Sequence, residues 1–159
     1  MQVAIIFGSK SDSQIMKKAA DVLREFGVSF SSHVLSAHRV PEQLSETLRK
    51  LEAEGTAVII AGAGLAAHLP GVIASQTLVP VIGVPIASGG LGGMDALLSI
   101  AQMPKPIPVA TVGVDNAANA AYLACEILAL GDTGLKQKLA EFRKKMKEDF
   151  AKENEGSVL

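Results

Sequence analysis

Cysteine is nearly missing: Cys125 stands alone in 159 residues, so no intrachain disulfide staples the fold. Its Ala-rich helical surroundings point to a buried, inert thiol. Tryptophan is absent and Tyr122 is the one tyrosine. No strand-end loop therefore offers a ring to stack on a flavin. Charge is scarce too, at 19% of residues, with 15 basic against 16 acidic side chains. A net charge of −1 gives no single-sign field to hold nucleic acid or an anionic membrane. The longest apolar stretch, Thr56 to Ser75, is broken by Gly62, Gly64, His68 and Pro70, and parses as strand, loop and helix rather than as a membrane span. The chain enters its first strand without a basic leader or cleavage site, so the expected compartment is the cytoplasm.

What is present is apolar and small. Apolar residues make up 48% and glycines number 15, a composition suited to one close-packed α/β domain over residues 1–159. A domain of this length buries roughly two-thirds of its unfolded surface and needs no metal staple. The charge shortfall points to surface buried between subunits, since a lone monomer would expose too much apolar area.

β-Branched runs alternate with helical periodicity from end to end. Predicted strands are Gln2–Phe7, Ser29–Leu35, Thr56–Ala61, Val79–Val84 and Pro108–Val112. Ile15, Ala19, Leu23 and Phe26 mark a helix closed by Gly27. Leu44, Leu48 and Leu51 mark a second that opens at Pro41 and closes at Gly55. Further helices are predicted over Leu65–Gln76, Met94–Gln102, Asn116–Leu130 and Gly134–Lys152. The last carries Leu135, Leu139, Phe142, Met146 and Phe150 as one stripe that is free to pack on a neighbouring subunit, and Glu153–Leu159 reads as a frayed tail. Strand–helix alternation with near-continuous apolar strands implies a three-layer α/β/α fold. Its five-stranded parallel sheet takes the flavodoxin-like order 2-1-3-4-5, with an extra C-terminal helix.

In that order the loops after strands 1, 2 and 3 lie side by side at the switch in strand order, where open parallel sheets bind ligands. They read Gly8-Ser9-Lys10-Ser11-Asp12, Ser36-Ala37-His38-Arg39 and Gly62-Ala63-Gly64-Leu65-Ala66-Ala67-His68. The first opens a helix, whose free N–H groups and dipole favour an anion, with Ser9 and Ser11 adding hydroxyls. Asp12 fits two roles, as helix N-cap or as acceptor for a sugar diol. Arg39 offers a planar fork for phosphate, against the plainer role of a solvated surface arginine. His38 can give and take a proton near neutrality, against a capping or packing role. His33, inside strand 2, reads as structural or surface. The third loop formally matches G-x-G-x-x-[GA]. It follows the wrong strand, though, and no acidic residue stands about 20 positions on to hold a ribose. The small residues there let backbone approach a ligand closely beside His68. Neither a Walker A loop nor a metal-ligand spacing is present: His38 and His68 lack a third ligand.

Longer stretches carry a resemblance: Gly8-Ser-Lys-Ser-Asp12, Ser36-Ala-His-Arg39, Ala61-Gly-Ala-Gly64 with Ala66-Ala-His-Leu-Pro-Gly71, Val81-Ile-Gly-Val-Pro85, Ser99-Ile-Ala-Gln-Met-Pro104 and Asn116-Ala-Ala-Asn-Ala120. In this order and spacing they resemble the N5-carboxyaminoimidazole ribonucleotide mutase family of de novo purine synthesis. The resemblance implies a homo-octamer acting on a ribonucleotide, without metal or organic cofactor. It implies that Ser9, Ser36 and Arg39 hold the substrate phosphate and Asp12 the ribose hydroxyls. His38 becomes the proton shuttle, and His68 with the backbone from Gly64 to Ala66 borders the migrating carboxylate. Leu65 departs from the family's usual glycine, Pro106 follows Lys105 where a glycine is frequent, and Ser88–Gly93 is richer in glycine than the family pattern. Two rivals stand beside this reading. One is the carboxylase branch of the same fold, which uses free CO2 and typically carries Lys after the second-loop histidine. The other is a non-enzymatic nucleotide-binding module.

Overall fold

The alternation of apolar residues within each central strand decides the layering. The structure, a computed structural model describing residues 3–155, places β1 at Val3–Phe7, β2 at Phe30–Val34, β3 at Val58–Gly64, β4 at Val81–Ile86 and β5 at Ala110–Thr111. Val3, Ile5 and Phe7 point to one face of the sheet and Ala4 and Ile6 to the other. A strand with period-2 alternation and no polar side needs cover on both faces. Helices α1 (Ser13–Phe26), α5 (Ala117–Leu128) and α6 (Thr133–Glu153) form one covering layer; α2 (Pro41–Ala53), α3 (His68–Ala74) and α4 (Met94–Ala101) form the other. The strand order is β2-β1-β3-β4-β5 and every pairing is parallel, as the sequence predicts. Val3 lies opposite Phe30 on one side and Val58 on the other, so β1 and β3 sit in the middle of the sheet.

Close approach of helix to sheet depends on two glycines. A Cβ on Gly62 of β3 would stand 2.4 Å from Met16 Sδ of α1, and one on Gly83 of β4 would stand 2.3 Å from Ile100 Cγ2 of α4. Their bare backbone lets both helices settle onto the sheet.

Several boundaries move from their predicted places. Gln2, placed in the first strand, and residues 156–159 of the tail lie outside the described residues. β3 runs three residues past Ala61, to Gly64, because β1 and β4 supply hydrogen-bond partners that override the weak strand propensity of Gly62-Ala63-Gly64. β4 starts and ends two residues later than predicted. β5 shrinks from Pro108–Val112 to Ala110–Thr111, on an edge where Pro108 has no N–H to donate. The helix expected from Leu65 begins only at His68, because Leu65 (φ 57°) and Ala67 (φ 41°) adopt left-handed geometry. On α6 the stripe divides: Leu135 and Leu139 are buried and Phe142 packs edge-on against Phe26, whereas Met146 and Phe150 face solvent. Among the described residues no helix is long and apolar enough to cross a membrane.

Candidate active site

Three strands end beside one another at the switch in strand order, and their loops close around a cavity of about 550 Å³. That size suits a small nucleotide. After β1 the chain passes through Gly8 and Ser9 into a 3-10 turn, Lys10–Asp12, that runs into α1. Ser9 is extended, and its Oγ accepts from the Ser11 N–H at 3.4 Å. Ser11 Oγ lies 2.9 Å from Ser9 Oγ and 3.1 Å from Asp12 Oδ1. Asp12 holds the N-cap position of α1, but its carboxylate makes no capping bond.

The β2 loop is tied to the β1 loop by Arg39, whose Nη2 donates to the Gly8 carbonyl at 2.8 Å. Ser36 Oγ accepts from the Arg39 backbone N–H at 3.3 Å, which shapes the turn that presents His38. Across the cavity, α3 starts at His68 and aims its ring back at the β2 loop. His38 Nε2 and His68 Nδ1 lie 2.8 Å apart with the rings nearly perpendicular, at 87°. One ring donates and the other accepts, so the pair has a ready line for moving a proton.

The β3 loop is held by close backbone packing. A Cβ on Gly64 would stand 3.0 Å from the Ile86 carbonyl oxygen and 3.0 Å from Ser88 Cβ. Left-handed backbone at Leu65 and Ala67 is unusual for residues with a Cβ and costs of order 1–2 kcal/mol each. The turn closes with the Ala67 N–H donating to the Gly64 carbonyl at 3.0 Å.

Ser9, Ser11, Asp12, Ser36, His38 and Arg39 from the first two loops, and Gly64, Ala66 and His68 from the third, all line this cavity. Leu65 lines it as well. Sequence reasoning passed over Ser88, which forms the wall beyond β4 and makes no capping bond to the turn it precedes. Its signal was available: β4 is the next strand along the sheet from β3, so its end loop borders the same crevice.

Two other residues singled out from sequence fall elsewhere. His33 lies on β2 with Nε2 2.8 Å from Ser31 Oγ, and burial lowers its pKa. Cys125 is buried in α5, where burial pushes its thiol up to about 11. Pro106, joined to Lys105 by a cis peptide, does not line the cavity.

The chain is similar to known proteins along most of its length. The family model described as AIR carboxylase matches residues 2–149. The chain is 58% identical to the N5-carboxyaminoimidazole ribonucleotide mutase of Pyrococcus abyssi, over 92% of this chain and 84% of that protein. It is 56% identical to the protein of the same name from Methanocaldococcus jannaschii, over 91% and 90% of the two chains. The crystal structure of Treponema denticola PurE superposes with a TM-score of 0.90 at 27% identity, covering 97% of this chain and 96% of that one. With so much of its length in register, the chain belongs to the AIR carboxylase family.

Proposed function

We propose that the chain converts N5-carboxyaminoimidazole ribonucleotide to 4-carboxy-5-aminoimidazole ribonucleotide, a step of de novo purine synthesis, in the cytoplasm. The relatives at 56–58% identity carry the name of this activity. The observation that carries the reading is the 2.8 Å His38–His68 pair inside a cavity that Arg39 and hydroxyl donors also line.

Each group has a chemical job. Arg39 and the hydroxyls of Ser9, Ser11 and Ser36 are donors, suited to phosphate. The Asp12 carboxylate is acceptor-only, suited to ribose hydroxyls and repelled by phosphate, which fixes the direction in which a nucleotide lies. The base then falls between His38, His68 and the Gly64–Ala66 backbone.

The reaction is redox-neutral and its protons balance. A proton given to the carbamate nitrogen breaks the N–C bond and frees CO2, leaving an aminoimidazole that is nucleophilic at C4. C4 attacks the CO2, forming the C–C bond, and the proton then lost from C4 returns to the protein. His38 gives the first proton and takes the second. Between the two steps that first proton stays on the substrate amine, and His68, in contact with His38, orients its ring to receive the proton from C4. The pocket keeps the reacting fragments together, so the second step is not a bimolecular encounter.

Self-assembly, to an octamer, belongs to the same proposal. Leu91, Met94, Leu98, Met146 and Phe150 are exposed, and an apolar groove of about 650 Å³ runs between α5 and α6 past Tyr122, Leu123 and Phe142.

The deciding experiment supplies N5-carboxyaminoimidazole ribonucleotide labelled in its carbamate carboxyl, with unlabelled bicarbonate in excess. Label retained in the C4-carboxylated product is the expected result. Product that carries the solution carbon makes the chain a carboxylase. Binding of aminoimidazole ribonucleotide without turnover of either substrate makes it a binding module.

A further inference from the structure

Past Gly83 the outer edge of β4 has no strand beside it. β5 ends at Thr111, opposite Gly83, and the Val112 N–H adds one last bond to the Gly83 carbonyl. β4 nevertheless runs on to Ile86 and then delivers Ser88 to the cavity wall. One residue takes up the backbone groups on that edge. Asp115 donates its N–H to the Pro85 carbonyl at 2.8 Å, and its Oδ1 accepts from the Ala87 N–H at 2.9 Å. It stands on left-handed backbone, φ 57°, a region that aspartate and asparagine tolerate better than other residues with a Cβ. Asn116, next in the chain, caps α5 by accepting from the Asn119 N–H at 3.2 Å, so Asp115 is fixed to a helix whose Ala117, Ala120 and Ala121 are fully buried. Asp115 itself does not line the cavity.

The segment after Ala87 is rich in glycine, at Gly89, Gly90, Gly92 and Gly93. It also comes back to its start: a Cβ on Gly93 would stand 3.2 Å from Ala87 Cα and 2.6 Å from Val114 Cγ1. The bond from Ala87 to Asp115 lies at that crossing, one residue before Ser88. Ser88 Cβ in turn lies 3.0 Å from the point where a Cβ on Gly64 would stand. The place of Ser88 therefore decides how much room the Gly64–Ala66 backbone has, at the end of the pocket given to the base.

We infer that Asp115 is a positioning residue for the proposed reaction: by holding Ala87 it fixes Ser88 and, with it, the base end of the pocket. The inference rests on the mutase reading and the lie of the nucleotide proposed with it. A glycine-rich segment released from that hold populates other positions, and a ligand that needs the wall in place binds in proportion to the fraction that has it. The phosphate end, built on the loops after β1 and β2, is left as it was.

The test compares the native chain with Asp115→Asn and Asp115→Gly, using calorimetric binding of aminoimidazole ribonucleotide and of ribose 5-phosphate, which lacks the base. Asparagine keeps both the acceptor and the left-handed backbone and should bind both ligands as the native chain does. Glycine keeps the backbone and removes the acceptor. It should weaken aminoimidazole ribonucleotide roughly 2- to 10-fold, the worth of one hydrogen bond, and leave ribose 5-phosphate unchanged. Native affinity for both ligands in Asp115→Gly, or an equal loss for both, overturns the positioning role. Hydrogen exchange on the native chain tests it without a variant: the Ala87 amide should slow further with aminoimidazole ribonucleotide and not with ribose 5-phosphate. Fast exchange indifferent to either ligand counts against the inference even if Asp115→Gly does not fold. A native chain that binds neither ligand fails at the nucleotide reading itself, and the inference falls with it.

Discussion

Replacing Arg39 with alanine removes two interactions whose sizes can be separated. The internal one is the 2.8 Å bond from Nη2 to the Gly8 carbonyl, which ties the β2 loop to the β1 loop. Arg39 is exposed, so water replaces most of that bond and its loss costs about 0–1 kcal/mol of stability. For a domain of this size the melting temperature should fall by no more than about 2–4 °C. The second is the proposed contact to phosphate by the rest of the guanidinium. A charge-assisted bond is worth about 1.5–3 kcal/mol, or roughly 10- to 150-fold in kcat/KM. Phosphate is remote from the reacting carbon, so part of the loss should appear in kcat through misplaced substrate. Arg39→Lys keeps the charge but not the planar fork and should recover only part of the activity. Steady-state kinetics and a thermal melt on the same preparations measure both effects. A kcat/KM within about twofold of the native value would refute the phosphate role. A large fall in melting temperature with normal kinetics would make Arg39 a loop tie alone.

Three further outcomes are expected. His38→Asn keeps a polar group of similar shape but cannot shuttle protons, so aminoimidazole ribonucleotide should still bind while turnover falls roughly 100-fold or more; native-like turnover would move the role to His68. Cys125, its thiol pushed up to about 11 by burial, should resist a thiol reagent at pH near ~8 in the native chain and react at once in denaturant, and equal rates would contradict its packing. Light scattering at micromolar concentration should report a mass far above the 16.5 kDa of one chain, and a clean monomer would remove the argument from exposed apolar residues.

The sheet order and the gathering of the loops were legible because periodicity and loop composition act locally. The runs Gln2–Phe7 and Thr56–Ala61 read as near-continuous apolar strands, and right-handed crossovers left few topologies, among which 2-1-3-4-5 is the observed order. The missed details depend on partners distant in sequence. Gly62-Ala63-Gly64 has loop composition, yet β4 pairs with all three of its residues. Leu65 and Ala67 carry helix-compatible side chains, and nothing in their identity announces positive φ. Ser88 was passed over for a related reason: a strand predicted to end at Val84 leaves it four residues out in a loop, whereas β4 runs to Ile86 and sets it on the cavity rim.

Asp12 shows how local geometry bears on a choice that residue types leave open: it makes no capping bond. By type and position it is a fair N-cap for α1. A cap, however, needs extended backbone so that its side-chain oxygen can reach back to the free N–H groups. Asp12 has φ −83° and ψ −8°, already helical, because the 3-10 turn Lys10–Asp12 runs directly into α1. The extended residue is Ser9, with φ −151° and ψ 150°, and it does the capping. Capping uses only the lone pairs of the Ser9 hydroxyl and leaves its proton free to donate to a phosphate. The carboxylate of Asp12 is left toward the cavity with Ser11 Oγ 3.1 Å away. Moving the cap three residues upstream therefore does two things: it leaves a hydroxyl donor at Ser9 and a free carboxylate acceptor at Asp12 on the cavity wall, as the proposed phosphate and ribose contacts require. On the proposed reading a serine or threonine at position 12 should not replace it, since neither carries the charge that would turn phosphate away from the ribose end of the pocket.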